Sequence, residues 1–258
     1  PAGQPDITVL MSGDVLLRDT LWAQARADAQ ARGADGYDFR PMLAGVRDAV
    51  SGADVAICHL ETPVGAAGGP YSDYPVFNVP PQIVPALDWV GYDACTTASN
   101  HTLDQGSAGI DRTLTALDRV GIAHAGSART AREGDRTTVL TVHGARIALL
   151  SYTYGLNGFT RPDGSPWIVD LIEQRTILAE AKRARNDGAD IVLVALHWGT
   201  EYRNDPTPQQ RDLAEVLLDS PDIDLVYGHH AHVVQPFDRI GGKCIAYGLG
   251  NHLAEQFT

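Results

Sequence analysis

Basic residues are scarce in this sequence: 20 lysines and arginines stand against 32 aspartates and glutamates, for a formal net charge of −12. Proteins that bind nucleic acid neutralise its phosphates with clustered lysines and arginines, whereas the basic residues here are scattered along the chain. We therefore predict that nucleic acid is not a partner. The same charge repels an anionic polymer unless a local cationic patch or a metal ion intervenes.

Cysteine is also scarce. Cys58, Cys95 and Cys244 each lie in an apolar run, and an odd number at wide spacing does not form a disulfide framework. We expect three separate, reduced, buried thiols. No apolar stretch is long enough for a transmembrane segment. The sequence starts at Pro1, so we expect a removed signal or anchor and an extracellular or cell-envelope location, with the cytoplasm as the alternative.

The motifs of several common enzyme classes are missing. The chain contains neither the glycine-rich loop that ends in Lys-Ser/Thr nor the dinucleotide-binding fingerprint. Ser12, Ser99 and Ser151 all lie outside a Gly-x-Ser-x-Gly turn. The sequence therefore argues against these nucleotide-binding folds and against a serine hydrolase of that type.

Short apolar runs alternate with longer amphipathic stretches, which predicts an α/β fold with a mainly parallel, buried sheet. The 258 residues suit a single domain, 1–258. Two alternating runs around His143-Gly144 predict a β-hairpin within 136–154. The predicted strands are 6–14, 53–61, 93–98, 122–125, 190–197, 223–227 and 243–249, and the predicted helices are 20–32, 39–51, 81–90, 106–120, 170–186 and 208–218.

Polar residues that are unusual for a core follow six of the predicted strands. Open sheets of this class place their sites beyond the carboxyl ends of the strands, so we expect these side chains to share one site. Imidazole and carboxylate together suit a transition metal such as Mn, Zn or Fe. The residues are Asp14, Glu61, Asn100-His101, His197, the run 228–232 with three histidines, and Asn251-His252.

The spacing within the histidine run suggests which side chains face the site. His230 and His232 flank one residue, so an extended segment points both the same way and His229 away. We therefore expect that replacing His230 weakens metal retention more than replacing His229. His101, beside Asn100, is suited to giving or taking a proton.

Six motifs occur in order along nearly the whole chain: GDVLL (13–17), LETPV (60–64), SNHTLDQG (99–106), HWGTEY (197–202), GHHAHVVQP (228–236) and YGLGNHL (247–253). Together they resemble the CapA family of capsule-synthesis proteins, which is associated with poly-γ-glutamate. That family belongs to the calcineurin-like metallophosphatase superfamily. The resemblance implies a four-layer α/β/β/α sandwich with mixed sheets.

The resemblance also implies roles for the site residues. Glu61, Asn100, His197 and His230 would form one metal site, and His101 would be the acid that protonates the leaving group. Asp14 and His232, with Glu61 shared, would form the other site.

The second site departs from the superfamily pattern. Leu16 stands where the superfamily has a histidine, so we expect a metal to occupy the first site before the second. We expect Leu16→His to raise occupancy of the second. Asp14 and Arg18 are further candidate catalytic residues, because a guanidinium near a weak metal site can hold carboxylate or phosphate.

The resemblance favours a metal-assisted hydrolase or transferase that acts on a phosphoester or a glutamyl amide. The expected partners are an anionic polymer or peptide substrate and a membrane-associated capsule synthesis complex. Two alternatives remain: a metal-independent acid–base enzyme such as a peptide epimerase, and a non-catalytic polymer-binding component. Leu16 supports both alternatives, whereas the set of Glu61, Asn100, His197 and His230 supports the metal enzyme.

Overall fold

The computed structural model describes residues 6–255, which form two β-sheets with helices on their outer faces. One sheet has the order β11-β1-β2-β3-β4 and the other β5-β6-β7-β8-β10-β9. The strands are β1 (Val9–Leu16), β2 (Val55–Leu60), β3 (Ala94–Thr96), β4 (Ala123–Ala125), β5 (Thr138–Val142), β6 (Ala145–Thr153), β7 (Ile191–His197), β8 (Leu225–His229), β9 (Phe237–Ile240), β10 (Lys243–Ala246) and β11 (Asn251–Ala254).

Helices connect the strands of the parallel core, because a crossover between parallel strands needs a segment longer than a turn. They are α1 (Asp19–Ala31), α2 (Arg40–Leu43), α3 (Arg47–Ser51), α4 (Ile83–Val90), α5 (Gly106–Val120), α6 (Ala131–Gly134), α7 (Gln174–Asn186) and α8 (Pro208–Asp219). Short 3-10 turns cover Ala44–Val46 and Pro166–Ile168.

Three apolar clusters define the layers. One cluster packs α1, α4 and α5 against the first sheet, and a second packs α7 and α8 against the other. Between them, Ile57 and Ala94 of the first sheet meet Leu149, Leu193 and Tyr227 of the second. The order helices, sheet, sheet, helices confirms the expected α/β/β/α sandwich. Antiparallel pairs at β5–β6 and β9–β10 make the second sheet mixed.

Local signals explain most boundaries. Thr207 begins α8 with a capping box, in which its hydroxyl accepts from the Gln210 amide while the Gln210 side chain accepts from the Thr207 amide. Gly91 and Gly121 end α4 and α5 in the left-handed conformation that glycine tolerates best. The predicted hairpin is present, and its turn at His143-Gly144 has positive φ at both residues.

Two sequence predictions of secondary structure were wrong. The helix expected over 39–51 is divided into α2, a 3-10 turn and α3. The strand expected over 243–249 ends at Ala246, and two further strands, β9 and β11, were missed. Both missed strands have only four residues, which is too short for an alternating pattern to be recognised.

The prediction of three separate, buried thiols was also wrong. Cys58 and Cys95 face each other on the paired strands β2 and β3 and form a disulfide, while Cys244 is free and exposed. Strand pairing places the two cysteines together although 37 residues separate them. Their spacing in the sequence carries no sign of this, because register is set by the fold rather than by local pattern.

Gly13 allows the chain to pack closely just before Asp14. A Cβ atom at Gly13 would lie 2.1 Å from the Gly250 carbonyl oxygen. The same oxygen accepts a hydrogen bond of 2.8 Å from the Asp14 amide. The close approach therefore fixes Asp14 against the loop that leads into β11.

We predict that Gly13→Ala lowers the free energy of unfolding by about 1–3 kcal/mol, because the added methyl group must displace backbone atoms. Gly45→Ala is the matched control, since a Cβ there meets no atom within 4 Å. Urea denaturation of both variants measures the effect. Equal stability of the two variants would contradict this account of the Gly13 contact.

Candidate metal site and acid–base flank

Most of the strand ends converge as the sequence predicts: Asn251 reaches His232 at 2.9 Å, whereas His252 pairs with the Tyr92 hydroxyl instead. Strands β1, β2, β7 and β8 deliver their polar residues to one edge of the sandwich, and the loop after β3 adds two more. These side chains are all buried, although the loops around them are polar. The residues brought together are Asp14, Glu61, Asn100, His101, His197, His230 and His232.

Asp14 lies at the floor of this cleft, and several groups form hydrogen bonds with its carboxylate. Its Oδ1 lies 2.8 Å from Nδ1 of His229, and its Oδ2 accepts from the His230 amide at 3.1 Å. Nδ1 of His232 lies 3.2 Å from the same Oδ2. Burial acts to raise the pKa of Asp14, but the bonds to His229 and His232 hold the pKa well below its usual value. Asp14 is therefore a fixed negative charge.

Glu61 is buried without a hydrogen bond. Its side chain is 1% exposed, and neither carboxylate oxygen has a hydrogen-bond partner within the described part of the chain. Oε1 lies 3.9 Å from Nε2 of His197 and 3.8 Å from Nε2 of His232, beyond hydrogen-bond distance. Burial raises the pKa of Glu61 to about 8. Such an orphaned carboxylate is what a bound cation would satisfy.

His197 and Asn100 form the opposite wall through a chain of four buried groups. Nε2 of His197 lies 2.9 Å from Oδ1 of Asn100, and Nδ1 lies 3.0 Å from Nε2 of His59. Nδ1 of His59 lies 2.8 Å from the Thr96 hydroxyl. Burial lowers the pKa values of the His59 and His197 imidazoles well below the usual value for histidine, so both rings are neutral.

Two tautomeric arrangements satisfy this chain. In one, protons point toward Asn100, so that Nε2 of His197 donates to the amide oxygen. In the other, His197 donates Nδ1–H to His59, His59 donates to Thr96, and the Thr96 hydroxyl donates to the Cys58 carbonyl at 3.3 Å. The second arrangement leaves the His197 Nε2 lone pair facing the Asn100 oxygen, which is the electronic arrangement of two metal ligands.

The donors present therefore fit a divalent transition metal. Asp14, Glu61 and His232 each offer one ligand atom, and these atoms lie within 4.8 Å of one another. Asn100 Oδ1 and His197 Nε2 converge on the other side of Glu61. Oxygen and imidazole donors of this mixture suit Mn, Zn or Fe. Burial lowers the pKa of His230 to about 4, which keeps that imidazole neutral as well.

The expectation that the Glu61, Asn100, His197 and His230 set fills first remains a prediction. Among the residues that the structure describes, the compact three-residue group containing Glu61 is the one with Asp14 and His232. Leu16, in the position of the superfamily histidine, packs in the apolar core of the first sheet. Its side chain supplies no ligand to that group.

The prediction that His229 points away from the site was wrong. His229 is bonded to Asp14 and stacks on His59 with ring centres 4.0 Å apart. The reason is that β8 ends at His229 and the following residues are not extended: φ is +84° at His230 and +55° at His232. These left-handed residues turn the backbone, so the alternation of a strand does not apply.

His101 forms an acid–base pair beside the metal ligands. Its Nδ1 lies 2.8 Å from Oδ2 of Asp104, and Phe77 packs edge-on against the ring at 4.7 Å. Asn157 connects this pair to the candidate metal ligand Asn100, because the Asn157 Oδ1 accepts from Nδ2 of Asn100 at 3.2 Å. Asp104 fixes the ring so that Nε2 is the nitrogen available for proton transfer.

Arg18 lies at the mouth of the cleft rather than on its floor. Its Nε donates to Asp73 at 2.8 Å, and its guanidinium lies 5.7 Å from the centre of the Tyr74 ring. Burial and Glu201 raise the pKa of Tyr202, against the positive charge of Arg18, and the Tyr202 ring is 6.0 Å from that of His232. Arg18 is therefore in a position to attract an anionic substrate.

Sequence reasoning missed His59, Asp104, Asn157 and His229 as members of the site. A signal existed for His59, since it precedes Glu61 by two residues and strand alternation puts both on one face. The spacing of His101 and Asp104 is too common to indicate a pair. Asn157 comes from a loop on the other sheet, which no local pattern brings to this cleft.

Comparison with known families agrees with this architecture. The profile of the family described as "Bacterial capsule synthesis protein PGA_cap" matches residues 8–256. The chain belongs to this family. The structure also resembles a putative 5'-nucleotidase from Staphylococcus aureus, with a TM-score of 0.56, 14% identity, and coverage of 93% of this chain and 48% of that one. A 5'-nucleotidase precursor from Thermus thermophilus gives a TM-score of 0.54 at 13% identity, covering 93% of this chain and 48% of that one. These likenesses show the metallophosphatase-type fold.

Curated relatives are named for capsule, PGA or polyglutamine biosynthesis. "Capsule biosynthesis protein CapA" of Bacillus anthracis is 30% identical over 68% of this chain and 43% of its own length. "PGA biosynthesis protein CapA" of Bacillus subtilis is 32% identical over 67% of this chain and 45% of its own length. The chain thus spans less than half of these two relatives. The "Probable polyglutamine synthesis accessory protein" of Mycobacterium tuberculosis is 30% identical over 97% of this chain and 75% of its own length.

We predict that metal affinity rises with pH across the neutral range. Without a metal, burial raises the pKa of Glu61 to about 8, and the pKa of His232 is about 10 because the charges of Glu61 and Asp14 outweigh its burial. Both groups hold a proton at neutral pH, so a metal must displace protons, and raising the pH removes this competition. Calorimetric titration with Mn²⁺ or Zn²⁺ in buffers of different ionisation enthalpy measures affinity and proton release together.

Glu61→Gln should reduce both the affinity and the number of protons released. Glu215→Gln, at an exposed position on α8, is the matched control and should change neither. Affinity that is independent of pH between about pH 6 and pH 8 would contradict the assignment of Glu61 and His232 as ligands.

Proposed function

We propose that this chain is a metal-assisted hydrolase or transferase of capsule polymer metabolism, acting on a phosphoester or a glutamyl amide. The observation that carries the proposal is the buried Glu61 carboxylate, whose two oxygens lack partners while imidazoles and Asp14 surround it. A protein that used this cleft only to bind a polymer would have no need of a buried carboxyl group without hydrogen bonds at its centre, because such a group destabilises the fold.

The residues divide into three tasks. Asp14, Glu61, Asn100, His197, His230 and His232 would hold the metal, which when bound supplies Lewis-acid polarisation of the substrate oxygen and an activated water. His101 delivers a proton to the leaving group from Nε2, and Asp104 orients its ring. Arg18 at the cleft mouth, whose Nε is paired with Asp73, would offer its remaining N–H groups to an anionic group of the substrate.

The substrate class follows from charge and from the relatives. A chain of net charge −12 approaches an anionic polymer only where positive charge is concentrated, and Arg18 together with a divalent ion supplies it. The names of the relatives refer to capsule, PGA and polyglutamine synthesis. An anionic glutamyl polymer or peptide is therefore the proposed substrate, and a membrane-associated capsule assembly is the proposed setting.

An extracellular or envelope location is part of the proposal. The Cys58–Cys95 disulfide supports it, because such bonds persist in oxidising compartments. Within residues 6–255, no helix has the length and apolar character needed to cross a membrane.

The second candidate is a metal-independent acid–base enzyme that epimerises a peptide residue. Two buried imidazole–carboxylate pairs, His101–Asp104 and His229–Asp14, favour it. Proton abstraction and return need two such groups on opposite sides of one carbon. The absence of a ligand at Leu16 also agrees with this function.

Chelation discriminates the two candidates. The full chain is loaded with Mn²⁺, Zn²⁺ or Fe²⁺ and assayed for cleavage of bis(p-nitrophenyl) phosphate and for shortening of poly-γ-glutamate. Under the proposal, EDTA abolishes activity and the metal restores it. Turnover that persists in EDTA, with deuterium exchange at a peptide α-carbon, would favour the epimerase and contradict the metal enzyme.

We predict that His101→Gln lowers kcat by about 10²–10⁴-fold, the usual contribution of a general acid. Asp104→Asn should lower kcat by a smaller factor and shift the basic limb of the pH–rate profile. His143→Gln is the matched control. His143 lies in the turn between β5 and β6 rather than in the cleft, and it forms a surface pair with Asp54 at 2.8 Å. Metal content should be unchanged in all three variants. Full activity of His101→Gln would remove the proton-transfer role.

A further inference from the structure

A second cavity lies between the edges of the two sheets, away from the predicted metal ligands. It has a volume of about 270 Å³ and is bounded by β4, α6, the start of β5, the second half of β6, and α7. None of the seven residues predicted for the metal site lines it. The volume lies near the lower limit of small-molecule pockets, so it fits a metabolite rather than a polymer.

Two hydroxyl groups in this cavity lack partners. The Ser151 side chain is 2% exposed and lines the cavity, and its hydroxyl forms no hydrogen bond with any described residue. The Thr137 hydroxyl oxygen is buried and likewise has no partner in the described part of the chain. Buried polar groups in folded proteins are almost always hydrogen-bonded, so these two indicate a polar occupant.

The edge of β6 is open at the same place. At this edge β5 pairs with β6 only as far as Leu149, whose partner is Thr138. Pairing resumes at Thr153, which forms a β-bridge with Leu171. Between these points Leu150–Tyr152 line the cavity, so the strand edge offers backbone groups as well as the Ser151 hydroxyl to a ligand.

Acidic and basic side chains both line the cavity. Asp170 and Glu180 are both half-buried in its wall, Tyr152 donates its hydroxyl to Glu180, and Asp170 accepts no side-chain hydrogen bond among the described residues. Burial and the neighbouring Glu180 raise the pKa of Asp170 to about 7. Arg136 and Arg183 are exposed at the rim, and neither forms an ion pair within the described chain.

We propose that this cavity binds a small zwitterion of amino-acid size, with its ammonium group at Asp170 and Glu180 and its carboxylate at Arg183 or Arg136. Ser151 and Thr137 bond the polar groups between the two ends. An ammonium group compensates the half-buried Asp170 carboxylate, and the exposed guanidinium groups at the rim favour a carboxylate at the other end of the ligand. The proposal does not depend on the reaction at the metal site.

L-Glutamine is a suitable probe, because its side chain adds no charge and any affinity reflects the two backbone charges. Two analogues test the ends separately: glutaramate lacks the ammonium group, and 4-aminobutanamide lacks the carboxylate. Calorimetry or saturation-transfer NMR on the full chain measures binding. We expect saturable binding of L-glutamine and at least about tenfold weaker binding of each analogue.

The variants are chosen to keep the fold. Asp170→Asn removes a carboxylate whose burial is already unfavourable, so stability should be retained while L-glutamine affinity falls at least about tenfold. Ser151→Ala should weaken binding by a smaller factor, and the exposed Glu215→Gln on α8 should have no effect. Thermal unfolding of each variant confirms folding.

Three results would overturn the proposal. They are the absence of saturable L-glutamine binding, equal binding of glutaramate, and unchanged affinity in Asp170→Asn. Binding that disappears in Glu61→Gln rather than in Asp170→Asn would place the ligand in the metal cleft and would also overturn it.

Discussion

The burial of Glu61 without a hydrogen bond from any described residue is the constraint on which the rest of the site depends. A carboxylate removed from water is costly unless hydrogen bonds or positive charge replace its hydration. Here the surroundings are mostly neutral imidazoles, because burial and mutual repulsion lower the pKa of His59, His197 and His230. Neutral imidazoles are good ligands but poor counter-ions. A divalent cation would resolve this conflict, since it would displace the protons that Glu61 and His232 hold at neutral pH and accept the nitrogen lone pairs.

A second set of residues, in contact with the candidate ligands, keeps those ligands in position. His229 and the His230 amide fix Asp14, while His59 and Thr96 fix the ring of His197. Such outer contacts select the tautomer of a ligating histidine and raise its basicity. The close packing at Gly13 holds β1 against the loop before β11 and so places Asp14 at the correct depth. The apolar sandwich provides this rigidity, because its strands are packed on both faces.

Much of this arrangement is present in the sequence as polar residues at the ends of apolar strands. Strand ends of a parallel sheet meet at one edge, so Asp14, Glu61 and His197 were predictable from their positions alone. The disulfide was not, because it depends on the register of β2 against β3. The role of His229 was not predictable either, because positive φ at His230 and His232 replaces strand geometry with a turn. The second cavity lies where two sheet edges meet, and no local pattern indicates that junction.

Anomalous diffraction from crystals of the metal-loaded chain, collected at the absorption edge of Mn, Zn or Fe, tests the central claim most directly. The account predicts a peak in the cleft in contact with the Glu61 carboxylate and with nitrogen or oxygen atoms of Asp14, His232, Asn100 or His197. A metal peak elsewhere in the molecule, with the Glu61 carboxylate still without a partner, would contradict it.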